Sequence, residues 1–424
     1  MRPLRSLLPA AVVLVAGGLA PVVPTAASAA AAAPAPTWPV PTRAVVTVDG
    51  RGYGHGHGMS QYGAEGAARR GLTYRQIAEF YYPGTDWGEA GGRVSVLITA
   101  DTSDDLVVQA RPGLTVRDTA RTDRSALPDN GADQWRVVTG GDGVTRVQFH
   151  TTRWRTWRVL RGQGEFSAHG RPVTLVTPSG TRAYRGRLRV GVTGSGDRVT
   201  VNVLGLDSYL KGVVPLEIPA SWTPAAVQAQ AVAARTYAAY ERRHPQSSAY
   251  QICDTGSCQV YGGYDAEYDA SNQAVAATAR QVLLSDGSPA FTQFGSSSGG
   301  WTAAGSAPYL PAQRDPYDGW SGNPVHTWST RVGDRTIERA WPAIGDLRRI
   351  TVTERDGNGL WGGRVVALRL SGSTGRVTVS GDSFRSALGL RSTWLTFEVS
   401  AAPDARSRTA GSPRTAWRPR TTPG

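Results

Sequence analysis

The run TVNVLGLDSYLKGVVPLEIPASWTPAAVQAQAVAARTYAAYE, residues 200–241, decides how the rest of the chain is read. It opens on the β-rich 199–204, passes through 206–214, and then presents a lone carboxylate, Glu217, between Pro215 and Pro219. Each proline fixes its own φ and disfavours helix at the residue before it, so Glu217 stands on stiff backbone and is not a solvated acid in mid-helix. Thr223 is a good N-cap and Pro224 suits the first helical position. Alanine, glutamine and valine then carry a helix to about residue 240, and His244-Pro245 stops it. Val227, Ala231, Ala234 and Ala238 give this helix a face of small residues that can press closely on a neighbour. Gln230 and Arg235 are long polar side chains on a helix otherwise built for burial, and that mismatch marks a candidate site.

The chain has 424 residues, enough for two or three domains. Residues 1–29 read as a secretory signal, with Arg2 and Arg5, an apolar run over 7–19 and the small-residue cleavage site Ala27-Ser28-Ala29. If retained, the apolar run would be a short N-terminal anchor. No later run stays apolar for about 18 residues, the length needed to span a bilayer. The expectation is an exported, soluble protein. Its formal charge is +13, to which Arg2 and Arg5 contribute two. Outside a membrane such a charge suits anionic wall polymers rather than nucleic acid. Arginine supplies nearly all of it, as a composition bias would also produce; Lys211, six residues before Glu217, is the sole lysine. Cys253 and Cys258 lie close in sequence, and export makes a small-loop disulfide the first expectation, with a zinc site or free thiols as alternatives.

Residues 30–43 are rich in Ala and Pro and read as a linker. Residues 44–48 alternate like a strand and lead into RGYGHGHGMSQYGAEGAARRG, 51–71. In an extended run His55 and His57 share a face. Histidines so spaced can bind a metal, move protons near neutral pH, or fasten a loop. Ser60 is placed to cap a helix ending at Gly71, and Thr73 a second one. Residues 93–205 carry short alternating runs broken by Gly, Asp and Pro, the pattern of a β-domain. An Ala-rich helix over 270–281 and a strand near 282–284 precede QFGSSSGGWTAAGSAPYLPAQRDPYDGW. Its glycines and hydroxyls suggest a mobile loop with outward donors that could line a sugar site; a plain connector is the alternative. Residues 401–424 read as a disordered tail.

Residues 212–238, GVVPLEIPASWTPAAVQAQAVAARTYA, closely resemble the signature of the SpoIID/LytB family, the sporulation stage II protein D and amidase-enhancer group of peptidoglycan-acting proteins. The Gly-x-Gly-His-Gly-x-Gly-Met-Ser-Gln-x-Gly-Ala run at 52–64 resembles a second family signature. In typical members that motif follows the segment matched here by 384–397. Its N-terminal place suggests a circular permutation, which requires residues 44–84 and 350–400 to meet in space. Relatives often carry Cys-x-x-x-His-Cys, a version able to hold zinc; Ser257 stands here before the second cysteine.

The resemblance implies an α+β fold, with a SpoIID-like catalytic domain of mixed strands and short Ala-rich helices over 200–400, a β-rich domain over 93–199, and residues 44–92 packed on the catalytic part. It implies a lytic transglycosylase that cleaves the MurNAc–GlcNAc bond, leaves a 1,6-anhydro end and needs no cofactor. Glu217 takes the family's catalytic position. One acid suffices when the substrate's own C6 hydroxyl is the nucleophile, because the group that gives a proton can take one back. The apolar flank Val213, Val214, Leu216, Ile218 and Trp222 would raise its pKa, and Lys211 or Arg235 nearby would oppose that. Asp207, the nearest other acid, is expected as an N-cap. Lys211, Gln230, Arg235 and Tyr237 are expected to position glycan. So are Ser296, Ser297, Ser298, Gly299, Gly300 and Thr302 of the Ser-Gly loop, and His55, His57, Ser60 and Gln61 of the N-terminal motif. The partners expected are glycan strands, anionic wall polymers and a cell-wall amidase. A non-catalytic enhancer of an N-acetylmuramoyl-L-alanine amidase is the alternative.

Overall fold

The structure, a computed structural model, describes residues 35–122 and 124–402. The expected signal segment 1–29 and the tail from 403 lie outside these residues. The fold is α+β, and its buried side chains gather into two hydrophobic clusters.

The larger cluster is built on a β-sandwich and a set of helices around one buried helix. One sheet runs in the order 154–159, 145–150, 134–139, 105–109, 173–177, 180–184. The other runs 252–253, 93–97, 198–205, 187–192, 164–167, 115–118, 124–126, with only its first pairing parallel. Period-2 alternation produces these strands: Leu188 and Val190 point into the core while Arg187 and Arg189 point out. The domain boundary expected at 199/200 falls inside the strand Arg198–Gly205, and the second sheet takes strands from both sides of it.

Six helices accompany these sheets: α1 (Gln61–Arg69), α2 (Tyr74–Tyr81), α3 (Leu206–Lys211), α4 (Val214–Glu217), α5 (Pro224–Glu241) and α6 (Asp269–Ala277). Ser60 caps α1, its hydroxyl accepting from the Gly63 N–H, and Thr73 closes a capping box with Gln76 at the head of α2. Both caps fall where the sequence placed them. Alanine lets α5 be buried on nearly every side, with α1, α2, α3 and α6 packed around it. Thr223 occupies the N-cap of α5 without a side-chain cap bond. Its N–H and hydroxyl donate instead to the buried Glu65 carboxylate of α1, at 2.9 and 3.1 Å, which seats a negative charge at the positive end of α5.

The smaller cluster lies between a three-stranded sheet (327–333, 44–51, 395–401) and a four-stranded sheet (37–39, 347–355, 365–372, 376–380). The strand Ala44–Arg51 pairs antiparallel with Leu395–Ala401, from Ala44 opposite Ala401 to Gly50 opposite Leu395. Residues 44–50 and 395–401 therefore meet, as the displaced N-terminal motif requires. Among the described residues no helix is long and apolar enough to cross a membrane.

Candidate active site

Glu217 is the last residue of α4, a single turn with Pro215 as its second residue, left at Ile218, whose backbone is extended. Beneath it Val213, Val214 and Ile218 are buried, while Leu216 turns outward with 45% of its surface exposed. The Glu217 Oε1 accepts the Val260 N–H at 2.8 Å, and the Gln61 side chain supplies a second hydrogen bond. Burial pushes the carboxyl above its ordinary value, with these two donors opposing. Among the described residues no Lys, Arg or His forms an ion pair with it. Glu217 is half-buried, and a carboxyl partly shielded from water and given no ion-pair partner is inclined to hold its proton.

The two donors arrive from distant parts of the chain. Gln61 is the first residue of α1, and its Nε2 also donates to Gln230 Oε1 at 3.4 Å. Gln230 is fully buried and its own Nε2 finds no protein partner. Val260 follows the loop closed by the Cys253–Cys258 disulfide. That bond uses both sulfurs, which leaves no thiolate there for zinc. Deeper, Tyr209 donates to Gln259 Oε1 at 3.2 Å and Gln259 donates to the Ala234 carbonyl of α5, so Val260 rests on the buried helix.

Leu216 and Val260 also border an open groove of about 450 Å³ whose polar lining includes Arg182, Asp254 and Asp265. The Asp254 carboxyl is raised by burial, and both of its oxygens accept from Thr99, at 2.8 and 3.1 Å. On the Gln61 side Tyr62 packs on Trp222 at 4.9 Å and on Trp320 at 6.3 Å, all three half-buried. Half-exposed rings beside an acid form a surface on which a sugar can stack. Tyr62 was not singled out from sequence; its adjacency to Gln61 in the motif was the available signal.

Several expected site residues turn inward. Arg235 has no exposed side-chain surface. Its Nε donates to Asp207 Oδ1 at 2.8 Å and its other nitrogens donate to carbonyls of Val275 and Gln281, so it joins α5 to α3, α6 and the adjoining strand and is not a glycan contact. Asp207 is correspondingly that cation's partner, while Gly205 occupies the N-cap of α3. Gln230 stands behind Gln61 with no surface to offer a substrate. The Tyr237 hydroxyl bonds the Glu241 carboxylate, and burial, aided by that carboxylate, pushes the phenol up. Lys211 ends α3 half-buried, without an ion pair among the described residues.

The Ser-Gly loop is also reversed from expectation. Its donors point into the protein at two buried carboxylates, Asp315 and Asp318. Ser297 Oγ donates to Asp318 at 2.9 Å, the N–H groups of Ser298 and Gly299 do so at 3.0 and 3.1 Å, and Ser298 Oγ donates to Asp315 at 2.8 Å. Thr302 Oγ1 donates to the Pro311 carbonyl. Ser296 is half-buried and its carbonyl accepts the Tyr62 N–H, while Gly300 gives its N–H to Ser298 Oγ. Ser60 joins the same node, donating to Asp318 Oδ1 at 2.7 Å, so it is a fastening and not a substrate contact. His326 Nδ1 donates to Asp318 Oδ2 at 2.7 Å and Arg51 reaches the other side of that ring. Burial would raise Asp318, but the donors outweigh it and hold the carboxylate below its usual value. Burial and the Asp318 charge push Asp315 up to about 6.

His55 and His57 do share a face, with rings stacked at 5.0 Å. Both His55 nitrogens are engaged, Nδ1 accepting the His57 N–H at 2.9 Å and the other bonding backbone at Phe294. Burial, with His57, Arg364 and Arg385 nearby, pushes His55 down to about 4, so it is neutral and fastens the loop. His57 Nδ1 lies 3.4 Å from the Ala303 carbonyl.

Residues 195–284 match the SpoIID family, described as Stage II sporulation protein; the match spans α3 to α6 and includes Glu217. The chain is 41% identical over 121 residues to the amidase enhancer of Bacillus subtilis, a stretch of 26% of this chain and 16% of that protein. It is 31% identical over 142 residues to stage II sporulation protein D of B. subtilis and 30% over 141 to that of Bacillus amyloliquefaciens, in each case 28% of this chain and 41% of the relative. The match thus spans less than half the length of each relative.

Proposed function

Because residues 195–284 carry the SpoIID/LytB family segment, we propose that this protein is an exported lytic transglycosylase in which Glu217 is the sole acid and base acting on MurNAc–GlcNAc strands. The observation that carries the reading is the state of the Glu217 carboxyl: half-buried, raised by burial, without an ion pair among the described residues, and set between Leu216 and Val260, which line an open groove. Protonated Glu217 gives its proton to the glycosidic oxygen as the C1–O bond breaks. The C6 hydroxyl of the same sugar then closes on C1 and returns its proton to Glu217, leaving an anhydro end and an unchanged enzyme. No cofactor enters this balance. Asp254 lines the same groove, with both of its oxygens accepting from Thr99. Tyr62 and Trp222 supply a stacking surface, and Lys211, which has no ion pair among the described residues, and Arg182, which lines the groove, are cations that can meet the substrate. The test is digestion of purified glycan strands by the wild type and Glu217→Gln, with mass spectrometry of the products. Anhydro ends from the wild type alone support the reading, and equal yields refute it.

The amidase-enhancer relative favours a second reading, a wall-bound activator of an amidase that needs no acid. It predicts that Glu217→Gln still binds sacculi and stimulates a wall amidase as fully as the wild type.

A further inference from the structure

Gln230 is an amide sealed inside the protein, and no glycan can touch it. On α5 it shares a face with Ala226, Val227, Ala233 and Ala234, all buried, and its own exposure is 0%. Among the described residues its side chain makes one hydrogen bond, Oε1 accepting from Gln61 Nε2 at 3.4 Å, while its own Nε2 has no partner. A buried donor left unpaired is costly, and a methionine would occupy the same space without that cost. Packing therefore does not account for the amide, and the role left to it is that of its oxygen. Gln61 stands between that oxygen and the acid. Only the NH2 of Gln61 can donate, so the nitrogen that meets Gln230 also supplies the second hydrogen bond to Glu217. Turning the Gln61 amide over would set its Oε1 against Gln230 Oε1, two acceptors with no proton between them.

We propose that Gln230 is a positioning residue for the acid: its Oε1 holds the Gln61 amide in one orientation, so that Gln61 meets Glu217 as a donor and never as an acceptor. The consequence is where the acid's proton points. A Gln61 free to turn would offer its Oε1 to protonated Glu217 and capture the O–H, whereas a Gln61 held as a donor leaves that O–H to the glycosidic oxygen. The inference rests on the reading of Glu217 as the acid. None of the charged groups on the surrounding elements is bonded to either amide. Glu65 of α1 accepts from Arg69 and Thr223, Asp207 of α3 accepts from Arg235 of α5, and burial pushes the Tyr209 phenol well up, so it stays neutral. In the groove, beside Arg182, Asp254 accepts from Thr99 and Asp265 from the Ala183 N–H, while Lys211 makes no ion pair among the described residues. The route from Gln230 to the acid therefore runs through Gln61.

Gln230→Met in the full chain tests this, with Gln230→Leu as a second variant. One readout is the ionisation midpoint of the Glu217 carboxyl by 13C NMR, its signal identified by its loss in Glu217→Gln; the other is kcat and KM on purified glycan strands. Capture of the O–H favours the neutral acid, so the midpoint is expected to rise by up to about one unit. The kcat is expected to fall roughly tenfold, part of the 10²–10⁴ that a placed acid contributes. KM should stay put, because Gln230 has no surface to meet substrate, and Tm should not fall, because the orphaned donor is gone. In a Gln61→Leu background the same substitution should add nothing to either readout, since Gln230 acts through Gln61. A midpoint that stays at the wild-type value, with or without a loss of Tm, would assign the amide to packing and overturn the proposal. A further shift in the Gln61→Leu background would overturn it as well. The midpoint needs no turnover, so the two readings fail separately. A wild type that yields no anhydro ends sinks the catalytic reading while the midpoint still decides the role of Gln230; anhydro ends with an unmoved midpoint sink the role of Gln230 alone.

Discussion

Replacing Asp318 by Asn tests whether the buried carboxylate holds the site together. Its oxygens accept from Ser60 Oγ at 2.7 Å, Ser297 Oγ at 2.9 Å, the N–H groups of Ser298 and Gly299 at 3.0 and 3.1 Å, Asn323 Nδ2 at 3.1 Å and His326 Nδ1 at 2.7 Å. An amide offers one accepting oxygen and turns an NH2 toward the remaining donors. Hydroxyls can rotate to accept from it; the Ser298 N–H and the Asn323 amide hydrogens cannot. The smallest loss places the NH2 at the Oδ1 position, where it faces the buried Ser298 N–H and leaves that donor only its 3.2 Å bond to Ser60 Oγ, a loss of about 1–3 kcal/mol. The bonds left on Oδ2 lose their charge assistance, and the sum falls in the range of about 3–5 kcal/mol typical of breaking a buried charged network. For a chain of this size that corresponds to a fall in Tm of roughly 3–6 °C. Thermal unfolding followed by circular dichroism at pH 7 measures it. A variant melting within about 2 °C of the wild type would show that the network contributes no net stability and would refute the reasoning.

The remaining predictions concern protons. Gln61→Leu removes a donor to ionised Glu217, so the acid's pKa rises further and the alkaline limb of the pH–rate profile moves upward by about one unit; an unmoved limb, or a downward shift, counts against the contact. Asp315 is raised to about 6, so the folded state binds that proton more tightly than the unfolded chain. Its favourable contribution is complete below about pH 4 and is lost as pH rises to 6. Asp315→Asn removes this titration, so the Tm of the variant relative to wild type should climb across pH 4–6 and level off above, with an amplitude of about 3 kcal/mol for two units. A difference independent of pH would show that Asp315 is not raised.

Legibility followed the range of each interaction. The heads of α1, α2 and α5 could be read because a cap and its helix are adjacent: Ser60 with Gly63, Thr73 with Gln76, Thr223 before Pro224. The outer strands could be read because alternation is local. Arg235 could not, because its partner Asp207 lies 28 positions earlier, and a long polar side chain looks the same in sequence whether it meets a sugar or a buried acid. The Ser-Gly loop misled for the same reason. Its hydroxyls are turned inward by Asp318, whose role depends on Ser60 from the other end of the chain, 258 positions away.

The same reasoning makes the disulfide part of the acid's environment and not only a clasp. One of the two hydrogen bonds that oppose the rise in the Glu217 pKa comes from the Val260 N–H, two residues past Cys258. The bond between Cys253 and Cys258 closes a short loop and limits where that N–H can go. Cys253→Ser/Cys258→Ser should cost about 2 kcal/mol from lost loop closure, which a denaturant titration reads. If the clasp acted on stability alone, the pH–rate profile of the folded variant would keep its shape. If it also positions Val260, the donor is loosened, the carboxylate is less well held, and the alkaline limb moves upward as with Gln61→Leu. The two variants act on the same carboxylate from opposite sides, so combining them should shift the limb further than either alone. A combined shift no larger than that of Gln61→Leu would show that Val260 holds its place without the disulfide.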